Sequence, residues 1–256
     1  MQRTIRFQER DIVLHGRSGD PYFDNIAIGD RANDFLIDIM ARYLPSEAVI
    51  LDVGANVGVT SAVFAILRPG ATIYSFEPSP ETFGFLCETA RPFGNIKASR
   101  IAMSDKPGTM RFYDNETSAS ASHLSMNGAS LGGSSIEVSV STIDQLVRER
   151  SIGRVDLIKI DVEGFEPDVI SGARQTIERL QPGVFVEVNS FTLIAYRNFN
   201  PRTFVESLMA MFPFTYWFDQ GTPKQLQSDG LLTFIHDHLI KRGCVDDLFC
   251  SFAPLA

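Results

Sequence analysis

The sequence predicts an α/β fold in which helices cover both faces of a mostly parallel, seven-stranded sheet, giving three layers. Between residues 49 and 189, short apolar runs rich in β-branched residues alternate with helical stripes, which is the pattern of strand–helix–strand units. At 256 residues the chain is long enough for one such domain with appendages and short for two. Because ligands bind at the carboxyl ends of parallel strands, the residues that follow each strand are the candidates for a functional site.

Composition and charge exclude several classes of protein. With 44% hydrophobic residues, 20 phenylalanines and 21% charged residues, the chain has the composition of a well-cored globular protein. A net charge of −8 argues against nucleic acid as a partner, since that binding relies on lysine and arginine. No apolar stretch has the length of a signal sequence or a membrane span, so we expect a soluble, cytoplasmic protein.

The three cysteines, Cys87, Cys244 and Cys250, show no metal-type spacing such as Cys-x-x-Cys. We interpret them as reduced packing residues, with a free regulatory thiol as the alternative. Neither interpretation assigns them a disulfide.

Residues 1–48 are predicted to form an arm and a helix packed on the main domain, which spans 49–256. The stretch 1–30 alternates weakly and is interrupted by glycine and by Gly19-Asp20-Pro21, which indicates a small hairpin. The stretch 31–43 carries a helical apolar stripe. This leading segment would either cover a cofactor or contribute to a homodimer, and the sequence does not choose between these roles.

The prediction is centred on residues 49–60, Val-Ile-Leu-Asp-Val-Gly-Ala-Asn-Val-Gly-Val-Thr. A buried strand runs into two glycines and then into a helix, so the backbone turns sharply where a ligand can lie against bare main chain. A dinucleotide fingerprint would read Gly-x-Gly-x-x-Gly, whereas Asn56 stands between Gly54 and Gly58, which makes a pyrophosphate ligand a weak prediction. Asp52 can accept hydrogen bonds from nearby groups.

A second strand, at 72–76, ends in Glu77 at the same edge of the sheet. A carboxylate there suits the two hydroxyls of a ribose. A ligand with a ribose, an adenine and a zwitterionic tail but no phosphates fits both turns, and S-adenosylmethionine is such a ligand. Ser79 and Pro80 then begin a helix, with Ser79 as its N-cap.

Four stretches of the chain resemble the FkbM family of S-adenosylmethionine-dependent methyltransferases. They are Leu-Asp-Val-Gly-Ala-Asn-Val-Gly at 51–58, Phe-Glu-Pro at 76–78, Ala-Met-Ser-Asp at 102–105 and Lys-Ile-Asp-Val-Glu-Gly at 159–164. Four motifs in the right order and spacing are far more specific than any one of them. The resemblance implies a Rossmann-like class I methyltransferase fold, an S-adenosylmethionine cofactor and, usually, O-methylation of a small molecule or glycan.

The two turns and the resemblance together predict the cofactor site. In the class I fold, the end of the third strand, predicted here at 96–103, lies beside the adenine. The predicted cofactor-binding residues are Asp52, Gly54, Ala55, Asn56, Gly58, Thr60, Glu77, Ser79, Ala102, Met103, Ser104 and Asp161.

Residues 106–142 interrupt the alternation of strands and helices and are predicted to form a hairpin insertion. Its two strands are predicted at 109–113 and 136–141. The loop between them, 117–135, is rich in serine, glycine and alanine and is expected to be mobile. Such an insertion at the active edge of the sheet is either a lid or a solvated hairpin tip without a role.

The rest of the chain continues the alternation. Thr142 begins a short helix through a capping box with Gln145. The strand at 156–160 delivers Asp161, Glu163 and Gly164 to the active edge. Lys159 alternates away from the neighbours of Asp161 within the strand, and its stem is expected to serve in packing. The other predicted elements are helices at 167–180, from 201 onward and at 231–240, and strands at 184–189, 214–218 and 248–252.

Asp161 is the first candidate for catalysis because it ends the strand that faces the methyl group. It could act as a general base or as a metal ligand, since a hydroxyl acceptor is a poor nucleophile. His123, in the predicted loop, is a second candidate base if the loop closes, and otherwise an exposed histidine without a role. Oxygen ligands from Asp161, Glu187 and Asn189 would favour Mg²⁺, although such strand-end groups also serve as helix caps.

The leading hypothesis is an O-methyltransferase that acts on a hydroxyl of a small molecule or glycan. Carboxyl methylation of an acidic metabolite would use the same scaffold without a base. A nicotinamide-dependent dehydrogenase is disfavoured by the missing middle glycine, and a nucleic-acid base methyltransferase by the lack of an Asn-Pro-Pro-aromatic run. A cofactor-binding regulatory protein without turnover is the alternative from another class.

Overall fold

The computed structural model describes residues 1–26, 31–114, 123–125, 134–219 and 222–255; the side chains at 31–35, 114, 123, 125 and 134 lie outside this description. Its strands, in chain order, are β1 (Gln2–Phe7), β2 (Arg10–His15), β3 (Val49–Val53), β4 (Thr72–Phe76), β5 (Ile96–Ser99), β6 (Ala102–Met103), β7 (Gly108–Asp114), β8 (His123–Ser125), β9 (Ser134–Ser141), β10 (Leu157–Ile160), β11 (Gly183–Asn189), β12 (Phe214–Asp219), β13 (Thr222–Gln225) and β14 (Val245–Ser251).

The helices of the same described ranges alternate with these strands. They are α1 (Pro21–Asn25), α2 (Arg31–Tyr43), α3 (Val59–Leu67), α4 (Pro80–Ala90), α5 (Ile143–Glu149), α6 (Glu166–Gly172), α7 (Arg174–Leu180), α8 (Ser190–Ala195), α9 (Pro201–Met211) and α10 (Leu231–Ile240). None of these helices is long and apolar enough to cross a membrane.

The central sheet has eight strands in the order β13-β12-β14-β11-β10-β3-β4-β5. The five strands from β11 to β5 are parallel, and β14 runs antiparallel to both β11 and β12. The predicted count of seven is one short because β13 was missed. Its sequence is polar and contains Pro223, which a strand tolerates only at the edge of a sheet, and β13 is an edge strand.

Helices cover both faces of this sheet, which confirms the three predicted layers. On one face, Leu51 and Ile158 pack in a cluster with apolar residues of α5, α6, α7 and α9. On the other face, Ile50 and Leu157 pack with α2 and α3. Neighbouring residues of a strand point to opposite faces, so each central strand contributes to both halves of the core.

The predicted third strand, 96–103, is divided between two sheets. β5 ends at Ser99 in the central sheet, the Ile101 N–H donates to the Ser99 carbonyl at 3.1 Å, and β6 begins a second sheet by pairing Ala102 with Val140. The turn between them redirects the chain from one sheet to the other. A continuous apolar pattern does not reveal such a change of partner.

The second sheet has four strands in the order β6-β9-β7-β8. The predicted antiparallel pairing of the insertion's two strands is confirmed by β7 and β9, but the insertion is more than a hairpin. β8 pairs with β7, with Phe112 opposite Leu124. It was missed because it is three residues long and lies in a polar stretch; most of the predicted mobile loop lies outside the described residues.

Two further elements differ from the prediction. The helix predicted at 167–180 is two helices, α6 and α7, that meet at Ala173, whose ψ is 0°. A Cβ on Gly172 would lie 2.0 Å from the Ser104 carbonyl oxygen, so this end of α6 is fixed by a close approach to the end of β6. The short helix α8, capped by Asn189, was missed because six residues are too few for an apolar period.

The first 26 residues fold back on the main sheet's helices. β1 and β2 form the predicted hairpin. α1 follows at Gly19-Asp20-Pro21, which was interpreted only as a break, although an Asp N-cap followed by Pro is also a signal for the start of a helix. Buried apolar residues of this arm, among them Leu14 and Phe23, pack in one cluster with Val59 and Val63 of α3.

Candidate functional site

A cavity lies at the carboxyl ends of β3, β4 and β10, with walls from α1 and from the second sheet. Eight of the predicted cofactor-binding residues line it: Gly54, Ala55, Asn56, Thr60, Glu77, Ala102, Met103 and Asp161. Residues outside the predicted set also line it, including Tyr22, Ile101, Phe112, Leu124, Lys159 and Glu163.

The glycine turn forms one side of the cavity. Gly54 has a φ of +77°, and a Cβ at this position would lie 1.8 Å from the carbonyl oxygen of Asp161. No other residue fits there, because the ends of β3 and β10 touch through their backbones. The amides of Gly54 and Ala55 both donate to the Phe76 carbonyl, at 3.1 and 3.0 Å, which ties the turn to the end of β4.

Glu77 is held by the backbone at the end of β4. Its Oε2 accepts from the Asn56 amide at 3.1 Å, and its Oε1 accepts from the Ser79 amide at 2.9 Å. Only 7% of Glu77 is exposed, and that part faces the cavity. Two backbone donors therefore fix an acidic group at the position where the sequence predicted a partner for ribose hydroxyls.

Asp52 lies beneath the turn and does not line the cavity. It is fully buried, and its Oδ2 accepts from the Ser61 hydroxyl at 2.5 Å, which lies 2.7 Å from the Ser75 hydroxyl. Burial raises the pKa of Asp52, and the nearby Lys159 opposes that shift. Asp52 therefore joins β3, α3 and β4 and supplies a counter-charge rather than a surface for a ligand.

Lys159 is the cation among the described residues that line the cavity, and its side chain is 8% exposed. Its Nζ donates to the Gly54 carbonyl at 3.1 Å and lies 3.2 Å from Asp161 Oδ2 and 3.7 Å from Asp52 Oδ1. Burial alone would lower its pKa, but Asp161 and Asp52 raise it to well above the ordinary value, so the ammonium stays charged. The sequence analysis expected only packing of the Lys159 stem, whereas the structure places its ammonium beside Asp161, because alternate residues of an extended chain point to the same face.

The loop after β10 carries a second acidic group into the cavity. Glu163 has a left-handed backbone, with φ of +54°, and lines the cavity with Asp161. Burial, reinforced by the charges of Asp161 and Glu166, raises the pKa of Glu163 to about 9. Glu166 closes the loop, because its Oε1 accepts from the amides of Val162 and Gly164 at 3.0 and 3.1 Å.

Two more carboxyl groups lie close to this loop, on the neighbouring strands. Glu187 of β11 and Asp247 of β14 are paired in register. Burial, followed by the charges of Asp161 and Glu163, raises the pKa of Glu187 well above its usual range, and burial with Asp161 raises that of Asp247 to about 7. The region is therefore rich in carboxyl groups that resist ionisation together.

The predicted metal ligands are only partly brought together. Glu187 is near enough to Asp161 for their charges to interact, whereas Asn189 uses its amide oxygen to cap α8, accepting from the Thr192 amide at 3.3 Å. Within the described ranges, no three His, Cys, Asp or Glu side chains are arranged to hold a metal ion. Magnesium binding stays a prediction.

The end of the cavity that the second sheet lines is apolar. Ala102, Phe112 and Leu124 are buried together in a cluster that includes Phe165, and all three of the second-sheet residues also line the cavity. Ile101 and Met103 extend the same surface. This end offers flat apolar contact and few charges, in contrast to the end formed by Lys159 and the carboxylates.

Three predicted site residues, Gly58, Ser79 and Ser104, have contacts outside the cavity. A Cβ on Gly58, where φ is +90°, would lie 2.8 Å from Leu86, so this glycine permits α3 and α4 to pack closely. Ser79 caps α4 through the Thr82 amide at 3.3 Å. The Ser104 amide donates to Ser141 at 3.0 Å. The side chain of His123 lies outside the described residues, so its proposed role as a base stays a prediction.

The residues that the sequence analysis missed differ in how they could have been found. Lys159 stands two positions before Asp161, and the period of a strand alone places both on one face. Glu163 was placed at the active edge by the sequence but was given no role there. Tyr22 and Phe112 carry no local signal, because they reach the cavity only through the docking of the arm and of the second sheet.

Comparison with known proteins supports the resemblance noted in the sequence. The model of the Methyltransferase FkbM domain matches residues 52–208. The 2-O-methyltransferase NoeI of Sinorhizobium fredii is 26% identical over 188 residues, covering 68% of this chain and 76% of NoeI. The 31-O-demethyl-FK506 methyltransferase FkbM of Streptomyces tacrolimicus is 32% identical over 154 residues, covering 48% of this chain and 58% of that protein.

A third relative and one solved structure complete the comparison. The hexuronic acid methyltransferase AglP of Haloferax volcanii is 26% identical, covering 62% of this chain and 64% of AglP. The Streptococcus mutans protein SMU.1697c, solved with SAH, aligns over 87% of this chain and 98% of that chain, with a TM-score of 0.46 and 8% identity. The match to the family model over most of the sheet, with the predicted motifs at the strand ends, shows that the chain belongs to the FkbM methyltransferase family.

Proposed function

We propose that the protein is an S-adenosylmethionine-dependent O-methyltransferase that methylates a hydroxyl group of a small molecule or glycan. The observation that carries the proposal is the two-ended cavity, with a fixed carboxylate, Glu77, on its wall. S-adenosylmethionine supplies a methyl group that is already activated by the sulfonium. The protein's residues therefore have to bind, align and exclude water.

The lining residues fit each part of this cofactor. Glu77, held by two backbone amides, suits the ribose diol. The apolar wall around Phe112 suits the adenine, and the Gly54 carbonyl with Asp161 suits the ammonium group of the methionine end. Among the described lining residues, Lys159 is the one cation, and it is already paired, so the cavity is poorly suited to the pyrophosphate of a dinucleotide.

The charge of the cavity favours a neutral acceptor. Asp161 and Glu163 stand at the methionine end, and Glu187 and Asp247 lie close to them. An acceptor carboxylate brought into this region would have to shed its hydration, and it would lie beside Asp161 and beside carboxyl groups that already resist ionisation. A hydroxyl group avoids both costs, which supports methylation of a hydroxyl over a carboxylate.

Glu163 is better suited than Asp161 to take the proton from the hydroxyl. Asp161 was the first candidate, but its carboxylate is already engaged by the Lys159 ammonium at 3.2 Å. The ionised form of Glu163, with its pKa raised to about 9, holds a proton more strongly. We assign proton acceptance to Glu163 and orientation of the cofactor to Asp161.

The test uses S-adenosylmethionine labelled in its methyl group and the purified full chain. The protein is incubated with neutral-sugar, acidic-sugar, lipid and small-molecule fractions of a cell extract, and each product is then treated with mild alkali. Methyl esters are hydrolysed by this treatment, whereas methyl ethers are stable. The proposal expects label that survives alkali.

Two results would contradict the proposal. Label that is lost in alkali would identify a carboxyl methyltransferase. Tight binding of S-adenosylhomocysteine without labelling of any fraction would favour a regulatory protein that binds the cofactor without turnover. A parallel calorimetric titration with NAD tests the dehydrogenase alternative, for which the proposal expects no binding.

A further inference from the structure

We infer that the N-terminal arm, residues 1–26, is part of the cofactor site and that the hydroxyl of Tyr22 binds the carboxylate of the methionine end. The inference rests on the proposed function, since it concerns the same cofactor. It concerns a part of the chain that lies before the family match, which begins at residue 52. Tyr22 lines the cavity even so.

The position of Tyr22 is the first step. Its hydroxyl is close enough to Asp161, Lys159 and Asp52 for their charges to act on it. Lys159 and Asp161 line the charged end of the cavity, and Asp52 lies beneath it, 3.7 Å from the Lys159 ammonium. Tyr22 therefore reaches the end that suits the amino-acid part of the cofactor.

The chemistry of Tyr22 is the second step. Burial, then the charges of Asp161, Asp52 and Asp20, raise its pKa far above the ordinary value, and Lys159 only partly opposes this. The phenol therefore keeps its proton and can donate a hydrogen bond. A ligand carboxylate needs donors among these acidic groups, and the Lys159 ammonium is already shared between the Gly54 carbonyl and two carboxylates.

Helix α1 holds Tyr22 in this place by specific contacts. The Asp20 carboxylate accepts from the Tyr22 amide at 2.9 Å and caps the helix. Arg3 of β1 donates to the Phe23 carbonyl at 2.9 Å. Phe23 is fully buried. A Cβ on Gly16 would lie 2.3 Å from the Phe23 ring, so a side chain at position 16 would collide with it.

The arm also contacts α3, which follows the glycine turn, and α4, which follows β4. Its apolar residues pack with Val59 and Val63 of α3. The His15 amide donates to the Thr89 hydroxyl of α4 at 3.2 Å, and Arg17 forms an ion pair with Glu81 of α4. Since α3 and α4 follow the two strands that carry Gly54 and Glu77, the arm sets Tyr22 relative to the cofactor cavity.

The test compares the binding of two ligands to the wild-type protein and to one variant. Tyr22→Phe removes only the hydroxyl, and binding is measured by calorimetry with S-adenosylhomocysteine and with 5′-methylthioadenosine, which lacks the amino-acid end. We expect S-adenosylhomocysteine to bind about tenfold more weakly to Tyr22→Phe, as for loss of a hydrogen bond to a charged group, and methylthioadenosine to change by less than about twofold.

A matched pair of aspartates in the arm tests the positioning. Asp20→Ala removes the cap that holds Tyr22, whereas Asp24→Ala removes an exposed carboxylate from the same helix. We expect Asp20→Ala to weaken S-adenosylhomocysteine binding by about threefold to tenfold and Asp24→Ala to leave it unchanged, with thermal melting as the check on folding.

The outcomes separate this inference from the proposed function. If the wild-type protein does not bind S-adenosylhomocysteine, the proposed function fails. If the wild type binds it and Tyr22→Phe binds it equally well, or if methylthioadenosine is weakened to the same extent, the inference alone is overturned.

Discussion

The two ends of the cavity are made by different kinds of structure. The charged end is built from residues at the ends of adjacent parallel strands, with Gly54, Lys159 and Asp161 in direct contact. The apolar end is built by a second sheet, whose strands bring Phe112 and Leu124 to the same space. The charged end depends on the register of the parallel strands in the central sheet, whereas the apolar end depends on the second sheet.

This difference predicts how each end responds to substitution. At the charged end, buried carboxylates and one ammonium are strongly coupled, so removing one group leaves others without a counter-charge. At the apolar end, contact with a ligand depends on area and ring geometry, so a substitution changes affinity by a smaller amount. The following predictions are ordered by that expectation.

The largest effect is expected for Lys159→Met. This substitution leaves the fully buried Asp52 without its counter-charge, and we expect the free energy of unfolding at neutral pH to fall by about 3 kcal/mol. Urea denaturation measures it. The double variant Asp52→Asn with Lys159→Met is the control and should regain part of the loss; equal stability of wild type and Lys159→Met would show that the pair is not coupled.

Glu163→Gln is expected to lower kcat by about 100-fold to 1000-fold, as for loss of a general base, while affinity for S-adenosylhomocysteine changes little. Because only the carboxylate accepts a proton and its pKa in the free protein is about 9, wild-type kcat/KM should rise as the pH rises toward 9, and the variant should lose this rise. Glu178→Gln, an exposed position on α7, is the control. If the pH profile survives in Glu163→Gln, the base is another group.

Glu77→Gln tests whether the Glu77 carboxylate binds the ribose of the cofactor. The amide keeps an oxygen acceptor but loses the charge, and we expect cofactor binding to weaken by about 1.5 kcal/mol, or roughly tenfold. Calorimetry with S-adenosylhomocysteine measures the change. Unchanged affinity would refute the assignment of Glu77 to the ribose.

The smallest effect is expected at the apolar end. Phe112→Leu keeps an apolar side chain but removes the flat ring, and we expect S-adenosylhomocysteine to bind about threefold to tenfold more weakly. Met110→Leu, in the same strand but outside the cavity lining, should have no effect on binding. A loss as large as that of Glu77→Gln or larger would overturn the proposed contrast between the ends.

The charged end was largely predictable from sequence because its chemistry is local. Gly54, Glu77 and Asp161 each stand directly after a strand, and parallel strands bring such positions to one edge. Lys159 was expected only to pack its stem and was given no role at the site, although its spacing to Asp161 gives both residues the same face.

The apolar end and the arm were not predictable, because they depend on contacts between distant parts of the chain. β8 pairs with β7, which ends nine positions before β8 begins. The sequence between the two strands is polar and has no period of large apolar residues. Tyr22 enters the cavity only because the arm packs on α3 and α4. Tertiary docking of this kind leaves no repeat in the local sequence.

The most direct test of the two-ended cavity is a crystal structure of the full chain with S-adenosylhomocysteine. We expect the adenine against Phe112, the ribose hydroxyls on Glu77, and the amino-acid end beside Asp161 and Tyr22. A ligand bound in the reverse direction, or bound away from Glu77, would contradict the account.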